Sequence, residues 1–477
     1  MWVSKNKADI QTIFSSLVKK SGQYRFFIIV SVLWYLAFFP GRLGADGSGA
    51  IRMLQQGIST KWWTAIYFWF LRITSFDGKQ IYLTSLIGIV GFVYSLLHMM
   101  NSLNHIFGKR ATTATKIFFC TPLFGTFAVT IGHDIQQVTG LILLFSLHLL
   151  KFSGKFQDRI RRNVATYFVA GLFVSMTQIG IIFIVVSGTL LFTNRKYFLL
   201  GLSSFLLILL VVAISNFGIS NSYMNYTKIG PMIADIKCVV QHPQALVNDS
   251  DWNTLQEIAP KIKWEEPISC KTIDLTLNQL GILDKEIKFS KSILRAYLDV
   301  CAKNTAICIM AHIQRSRAAL PPPFFPPPDN QIKWDSDRPI GFGANTALQQ
   351  GPELLHPSID EESVKISLVF LLPLQVIAQL ATFLFNQASW FWGWGGLWLW
   401  PIAILFLPLS NRWRFRKILT LLNEFIVLHS IMLLVGPGDP YRYWMFTICV
   451  GFISLFIIII GRFGEENSPL KYGTEEK

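Results

Sequence analysis

The recurrence of long apolar runs constrains this chain more than any other feature. They fall at roughly 26–43, 81–100, 115–131, 135–151, 166–176, 178–192, 197–215, 390–409, 417–436 and 441–461. Most are near the ~20 residues that a helix needs to cross a bilayer. Only 15% of the 477 residues are charged, against 52% hydrophobic, where a water-soluble domain carries about a quarter charged. The expected fold is an all-α membrane protein with about ten transmembrane helices, interfacial helices and one mainly helical extracytoplasmic domain.

The net charge of +15 could suggest nucleic acid, but the Lys and Arg residues lie mostly in short loops between apolar runs. That is the topological bias of membrane proteins, and nucleic acid is not an expected partner. With the N-terminus inside, Lys109 and Arg110, the basic stretch 151–162, and Arg195 with Lys196 are all cytoplasmic. The run 166–192 is too long for one untilted span. It is split at Thr177-Gln178-Ile179-Gly180 into two short helices that meet near the outer surface. Reading 366–386 as a re-entrant or interfacial hairpin keeps Arg412, Arg414, Arg416 and Lys417 inside. The polar, basic residues 1–25 hold a short interfacial helix at 8–18, and the first apolar run has no clear cleavage site, so it reads as a retained anchor.

The chain thus divides into an N-terminal membrane module, 1–215, an extracytoplasmic helical domain, 216–365, and a C-terminal membrane module, 366–477. The first outer loop, 43–80, is amphipathic. Its Trp62, Trp63, Tyr67, Phe68, Trp69 and Phe70 suit a helix lying in the headgroup layer. Helices are expected in the outer domain at 232–241, 251–258 and 290–312, and a Pro-rich strut follows at 321–328. Cys120 and Cys449 read as small core residues. Cys238, Cys270, Cys301 and Cys308 fit either disulfides in an oxidising compartment or buried thiols. There is no internal repeat of the kind on which many transporters are built.

Three stretches expected on the outer face carry candidate chemistry. Arg42 and Asp46 follow the first span, the latter within Gly44-Ala45-Asp46-Gly47-Ser48-Gly49. Gly132-His133-Asp134 forms a tight turn between two spans. Asp439-Pro440-Tyr441-Arg442-Tyr443 precedes the last span. Moving a sugar from a polyprenyl phosphate requires a base for the acceptor hydroxyl and positive charge on the departing phosphate. Asp46 suits the catalytic base. Arg442 suits the phosphate clamp, since a guanidinium matches phosphate oxygens at two points, with Tyr441, Tyr443 and Arg42 beside the donor phosphate. His133 and Asp134 suit an acceptor or a divalent ion, Mg or Mn, held with the phosphate. Each has a plainer reading: Asp46 solvates a turn, Asp134 complements a helix N-terminus, and Arg442 anchors an interface. Glu424 and His429 lie inside a span and are functional suspects, although Glu424 could instead pair with the nearby Arg cluster. His98, His105 and His148 read as interfacial.

These motifs resemble those of the GT-C class of polytopic membrane glycosyltransferases, in an uncharacterised bacterial branch. The loop from Asp46 through Trp62-Trp63 to Phe70, the short Gly132-His133-Asp134-Ile135 motif and the helix break at Thr177-Gln178-Ile179-Gly180 carry that resemblance. So do the outer-domain motifs Lys228-Ile229-Gly230-Pro231-Met232, Asp251-Trp252-Asn253 and Ile262-Lys263-Trp264, and the final Asp439-Pro440-Tyr441-Arg442-Tyr443. Two positions depart from the pattern: Gly47 follows Asp46 where many members carry a second acid, and Thr177 stands near where an Arg is frequent. The resemblance implies an inverting transferase in a bacterial plasma membrane, with its active face extracytoplasmic. It would move a sugar from a polyprenyl-phosphate donor to a glycan or lipid acceptor during envelope polysaccharide assembly. The alternatives are a non-catalytic transporter or flippase for lipid-linked glycans, and an accessory subunit of envelope glycan assembly.

Overall fold

Helix is what these residues form almost throughout. The computed structural model describes residues 24–43, 45–57, 64–177, 179–217, 226–266, 276, 280–281, 291–315, 372–386, 395–406, 421–435 and 445–463. After α1 (Tyr24–Ala37) come β1 (Arg42–Leu43), α2 (Ala45–Gln55), α3 (Ala65–Thr74), α4 (Tyr82–Phe119), α5 (Pro122–Ala128), β2 (Thr130–Ile131) and α6 (His133–Phe152). Then follow α7 (Ile160–Val174), α8 (Gly180–Leu191) and α9 (Arg195–Ser215). The 38 residues of α4 do not form one rod. Gly108, at φ 74°, takes a backbone conformation that side chains with a Cβ disfavour, and there the helix breaks.

Among the described residues, three helical segments are long and apolar enough to cross a membrane: Tyr82–Ile106, His133–Phe152 and Tyr197–Ser215. That is fewer than the ten or so read from the runs, for local reasons. The run at 115–131 is interrupted at Cys120-Thr121, where α4 ends and α5 begins. The pair α7 and α8 is separated at the expected Thr177–Gly180 break, leaving each short. The ends of 390–409 and 417–436 and the start of 441–461 lie outside the described residues, as do the expected helix at 8–18 and the strut at 321–328.

The bundle is organised around α6, whose residues from Asp134 to Leu150 are all buried. Its apolar side chains join those of α1, α4, α5, α7, α8 and α9 in one core. Later elements join the same core: α15 (Leu372–Asn386), α16 (Leu399–Phe406), α17 (Asn423–Val435) and α18 (Met445–Phe463). By contrast, α9 turns Phe198, Leu199, Leu206, Leu210 and Ile214 outward.

A second, smaller core caps one end of the bundle, where Ile51 and Leu54 of α2 and Ile66, Tyr67, Phe68 and Leu71 of α3 close on Ile81, Ile131 and Met176. Thr64 is the N-cap of α3, and its hydroxyl donates to the Met176 carbonyl at 2.7 Å. Trp69 donates to the Ser215 carbonyl at 3.1 Å, and Gln55 to the Gly78 carbonyl at 2.8 Å. These bonds tie the cap to the α7–α8 break, the end of α9 and the start of α4. The expected headgroup helix is corrected accordingly. Tyr67 and Phe68 are buried against protein, and Trp69, with Arg72 stacked 5.1 Å from its ring, faces outward.

The polar segment folds around its own core: α10 (Tyr226–Val240), α11 (Asp249–Gln256), α12 (Lys261–Glu265), α13 (Lys291–Lys303) and α14 (Thr305–Arg315). The expected helix at 290–312 is broken at Asn304, whose side chain holds the Leu246 backbone by both N–H and C=O. Trp264 fills the centre and donates to the Leu255 and Ala259 carbonyls. Arg315 meets Asp235 at 2.7 Å, both buried, and Cys301 is bonded to Cys308. Cys238 is also disulfide-bonded.

One polar contact joins α17 to the bundle interior. His148 Nε2 lies 2.7 Å from Glu424 Oε1, both side chains being 0% exposed, and the Ser187 hydroxyl of α8 donates to the same oxygen. His148 is therefore interior, not interfacial. Removing one member of a buried pair strands the other, at about 3–5 kcal/mol, whereas removing both leaves apolar surfaces that can repack. His148→Leu and Glu424→Leu should each sharply lower unfolding stability in nanodiscs, and the double variant should lose less than their sum. Additive losses would show that the two side chains do not depend on one another.

Candidate functional site

Two short strands bring the first and second candidate stretches together. β1 and β2 pair in parallel, with Arg42 opposite Thr130 and Leu43 opposite Ile131, so their backbones run about 4.8 Å apart. Each strand is followed at once by a helix. Asp46 is the second residue of α2, and Asp134 is the second residue of α6. Both lie four residues beyond the Arg42–Thr130 register pair. Two helix N-termini, each with its partial positive charge, thus begin side by side with an acid in the first turn.

The glycines in the first stretch have a reason beyond flexibility. Gly47 and Gly49 sit inside α2, where each costs roughly 1 kcal/mol relative to alanine. A Cβ on Gly47 would fall 2.2 Å from the Ile131 carbonyl oxygen. A larger side chain cannot fit at this position, because β2 occupies its space. The expected turn is instead the first turn of a helix pressed onto β2.

At the head of α6, His133 packs edge-on against the Tyr67 ring, with centroids 5.8 Å apart. Its Nε2 is 3.4 Å from Asp134 Oδ1. Asp134, Gln136 and Gln137 are 5%, 3% and 7% exposed, giving α6 a buried polar first turn. Among the described residues, His133 Nδ1, Gln136 Oε1 and Gln137 Nε2 have no hydrogen-bond partner. A stranded buried polar atom costs about 1–3 kcal/mol, and native folds hold only a few per hundred residues. The three atoms at the head of α6 have hydrogen-bonding capacity to offer a ligand; among the described residues, His148 Nδ1 and Glu424 Oε2, further along the bundle, are likewise without a hydrogen bond. Sequence reading missed both glutamines because the apolar run was started at residue 135. The polarity of that run's first turn was the available signal.

Tyr441, Arg442 and Tyr443 lie outside the described residues. The helix that follows them, α18, reaches α6 where Phe446 packs edge-on against Phe145. That contact is eleven residues from Asp134, about 17 Å along the axis. The structure therefore joins Arg42 and Asp46 to His133 and Asp134 through their backbones. Among the described residues, no group of three or more His, Cys, Asp or Glu side chains is arranged to hold a metal ion.

The close fit of Gly47 generates a contrast. Gly47→Ala must push α2 off β2 and should cost about 1–3 kcal/mol, as overpacking does. Gly132, at φ −177° with nothing within 4 Å of a built Cβ, should accept alanine within about 0.5 kcal/mol. Unfolding of both variants in nanodiscs checks this; equal stabilities would remove the β2 contact as the reason for Gly47. Comparison with family models, with curated proteins and with solved structures yields no match for this chain.

Proposed function

We propose that the protein is an integral membrane glycosyltransferase of GT-C type. It moves a sugar from a polyprenyl-phosphate donor to a glycan or lipid acceptor at the outer face of a bacterial plasma membrane. The observation that carries this reading is the β1–β2 register, which starts the Asp46 and Asp134 helices side by side. A transferase needs a base near the acceptor hydroxyl and positive potential near the departing phosphate. Asp46 would be the base. The two helix N-termini, with Arg42, would bear on the phosphate, and Arg442 would complete the clamp.

Several features support the setting. The outward apolar face of α9 suits contact with lipid, since water-soluble monomers rarely expose apolar patches of that extent. The ends of α7 and α9 and the starts of α4, α6 and α8 lie at the capped end, as alternating spans require. Disulfides in the polar domain suit an oxidising, extracytoplasmic compartment. Asp134 can supply a second acid, where Gly47 follows Asp46. His133 and Asp134 offer two protein donors, which suits a Mg or Mn ion arriving with a phosphate better than one held by protein alone.

A second reading, a flippase or transporter for lipid-linked glycans, draws on the buried His148–Ser187–Glu424 cluster, since ionisable groups inside spans often mark conduction paths. Against it, Leu141, Leu144 and Phe145 fill the face of α6 between Gln137 and His148, and the polar groups that α6 buries elsewhere at that level are the hydroxyls of Thr139 and Ser146, the latter bonded to His98 at 2.6 Å. Donor-independent movement of a labelled lipid in vesicles would favour this reading.

Asp46→Asn should lower transfer from purified polyprenyl-phosphate sugars by about 10²–10⁴-fold, the usual contribution of a general base, with membrane insertion and unfolding temperature retained. Full turnover by that variant would remove Asp46 as the base. Arg442→Ala should chiefly raise the KM for donor; an unchanged donor dependence would remove the clamp.

A further inference from the structure

We propose that His133, Gln136 and Gln137 form a subsite that binds sugar hydroxyls. This deepens the transferase reading and rests on it. Residues at i, i+3 and i+4 share one helical face, so the three side chains leave α6 on the same side. His133 is held from one flank by the Tyr67 ring, and Gln136 lies beside Gly88 of α4, whose missing side chain leaves only contacts of 3.9 Å. Gly132 is buried, yet a Cβ built on it would meet nothing within 4 Å. Among the described residues, the position next to His133 in the chain is thus open to an added group.

The chemistry of the unfilled positions selects the ligand. Gln136 Oε1 requires a donor, Gln137 Nε2 requires an acceptor, and His133 Nδ1 can take either, according to its tautomer. A phosphate offers acceptors and would be met by Gln136 only after its amide turned over. A cation would leave Gln137 Nε2 unmet. A hydroxyl both donates and accepts, and adjacent hydroxyls on a sugar ring meet all three. The ring could belong to the donor sugar or to the acceptor, and a test that uses both forms separates them.

The test is binding of methyl glycosides of glucose, mannose and galactose to the full-length protein in nanodiscs, by thermal shift and saturation-transfer NMR. Inorganic phosphate and sugar-free polyprenyl phosphate serve as competitors. At least one glycoside should bind, and inorganic phosphate should not displace it. Gln136→Leu and Gln137→Leu should each weaken binding tenfold or more while leaving the ligand-free unfolding temperature level or higher. Displacement by sugar-free polyprenyl phosphate would place the ring with the donor; persistence would place it with the acceptor. The absence of glycoside binding, displacement by inorganic phosphate, or a fall of more than about 5 °C in the ligand-free leucine variants would overturn the proposal. The last result would mean that the amides are already paired within the fold. Glycoside binding by a protein inert towards every polyprenyl-phosphate sugar keeps the subsite and rejects the transferase. Transfer without glycoside binding does the reverse.

Discussion

A helix buried on every side leaves its neighbours little freedom, and α6 is such a helix. Because Asp134 to Leu150 are all covered, every polar atom in that stretch must be paired inside the protein or by a ligand. The fold meets this demand differently at the two ends. Near the inner end of α6, Glu424 reaches in from α17 to His148 and shares its oxygen with Ser187. At its head, the buried amides and the His133 imidazole keep unpaired atoms. The His148–Glu424 end is held by an ion pair within the protein and, among the described residues, keeps unfilled positions of its own at His148 Nδ1 and Glu424 Oε2.

The head of α6 is positioned by backbone rather than by side-chain contact. Two residue pairs of parallel strand make a weak structure alone, but Gly47 lets α2 press against the Ile131 carbonyl, and the small core of α2 and α3 covers the join. The cap is then bonded to three different helix ends. A shift in any of those ends would be felt at β2 and so at His133. This explains why an amphipathic aromatic segment, which in isolation suits a membrane surface, is spent on protein contacts here. Tyr67 and Phe68 are needed to seal the cap, while Trp69, Arg72 and Ile73 of α3 face outward.

Much of the helical architecture was legible because apolar run length reports it directly. The break at Thr177–Gly180 could be read from residue types alone, whereas in the polar domain the short α12 was missed and the division of 290–312 at Asn304 was not visible. Span number was harder. The pause at Cys120-Thr121 is marked only by Pro122, which opens α5 and cannot continue α4, and Gly108 looks like an ordinary glycine until its φ is known. The convergence of Asp46 with His133 and Asp134 could be inferred only as shared topology; the register that makes it specific involves Arg42, Leu43, Thr130 and Ile131, none of which announces a strand. His148 and Glu424 are almost three hundred residues apart, and no local pattern links them. Gln136 and Gln137 were overlooked for a different reason, since glutamine at the head of an apolar helix reads as the edge of a membrane span.

The apolar layer between the two ends of α6 has its own consequence. Leu141, Leu144 and Phe145 lie between Gln137 and His148, and Phe446 closes over Phe145. A protein that moves a polar headgroup through its interior would need polar contacts across this layer, and burying such a group without them costs several kcal/mol. A transferase needs the opposite. Its donor and acceptor meet at one end, and a dry layer beneath them keeps water and protons from reaching the reacting atoms. The same leucines that interrupt a conduction path therefore favour chemistry at the capped end. The buried His148–Glu424 pair, lying beyond that layer, then serves to hold α17 in the bundle.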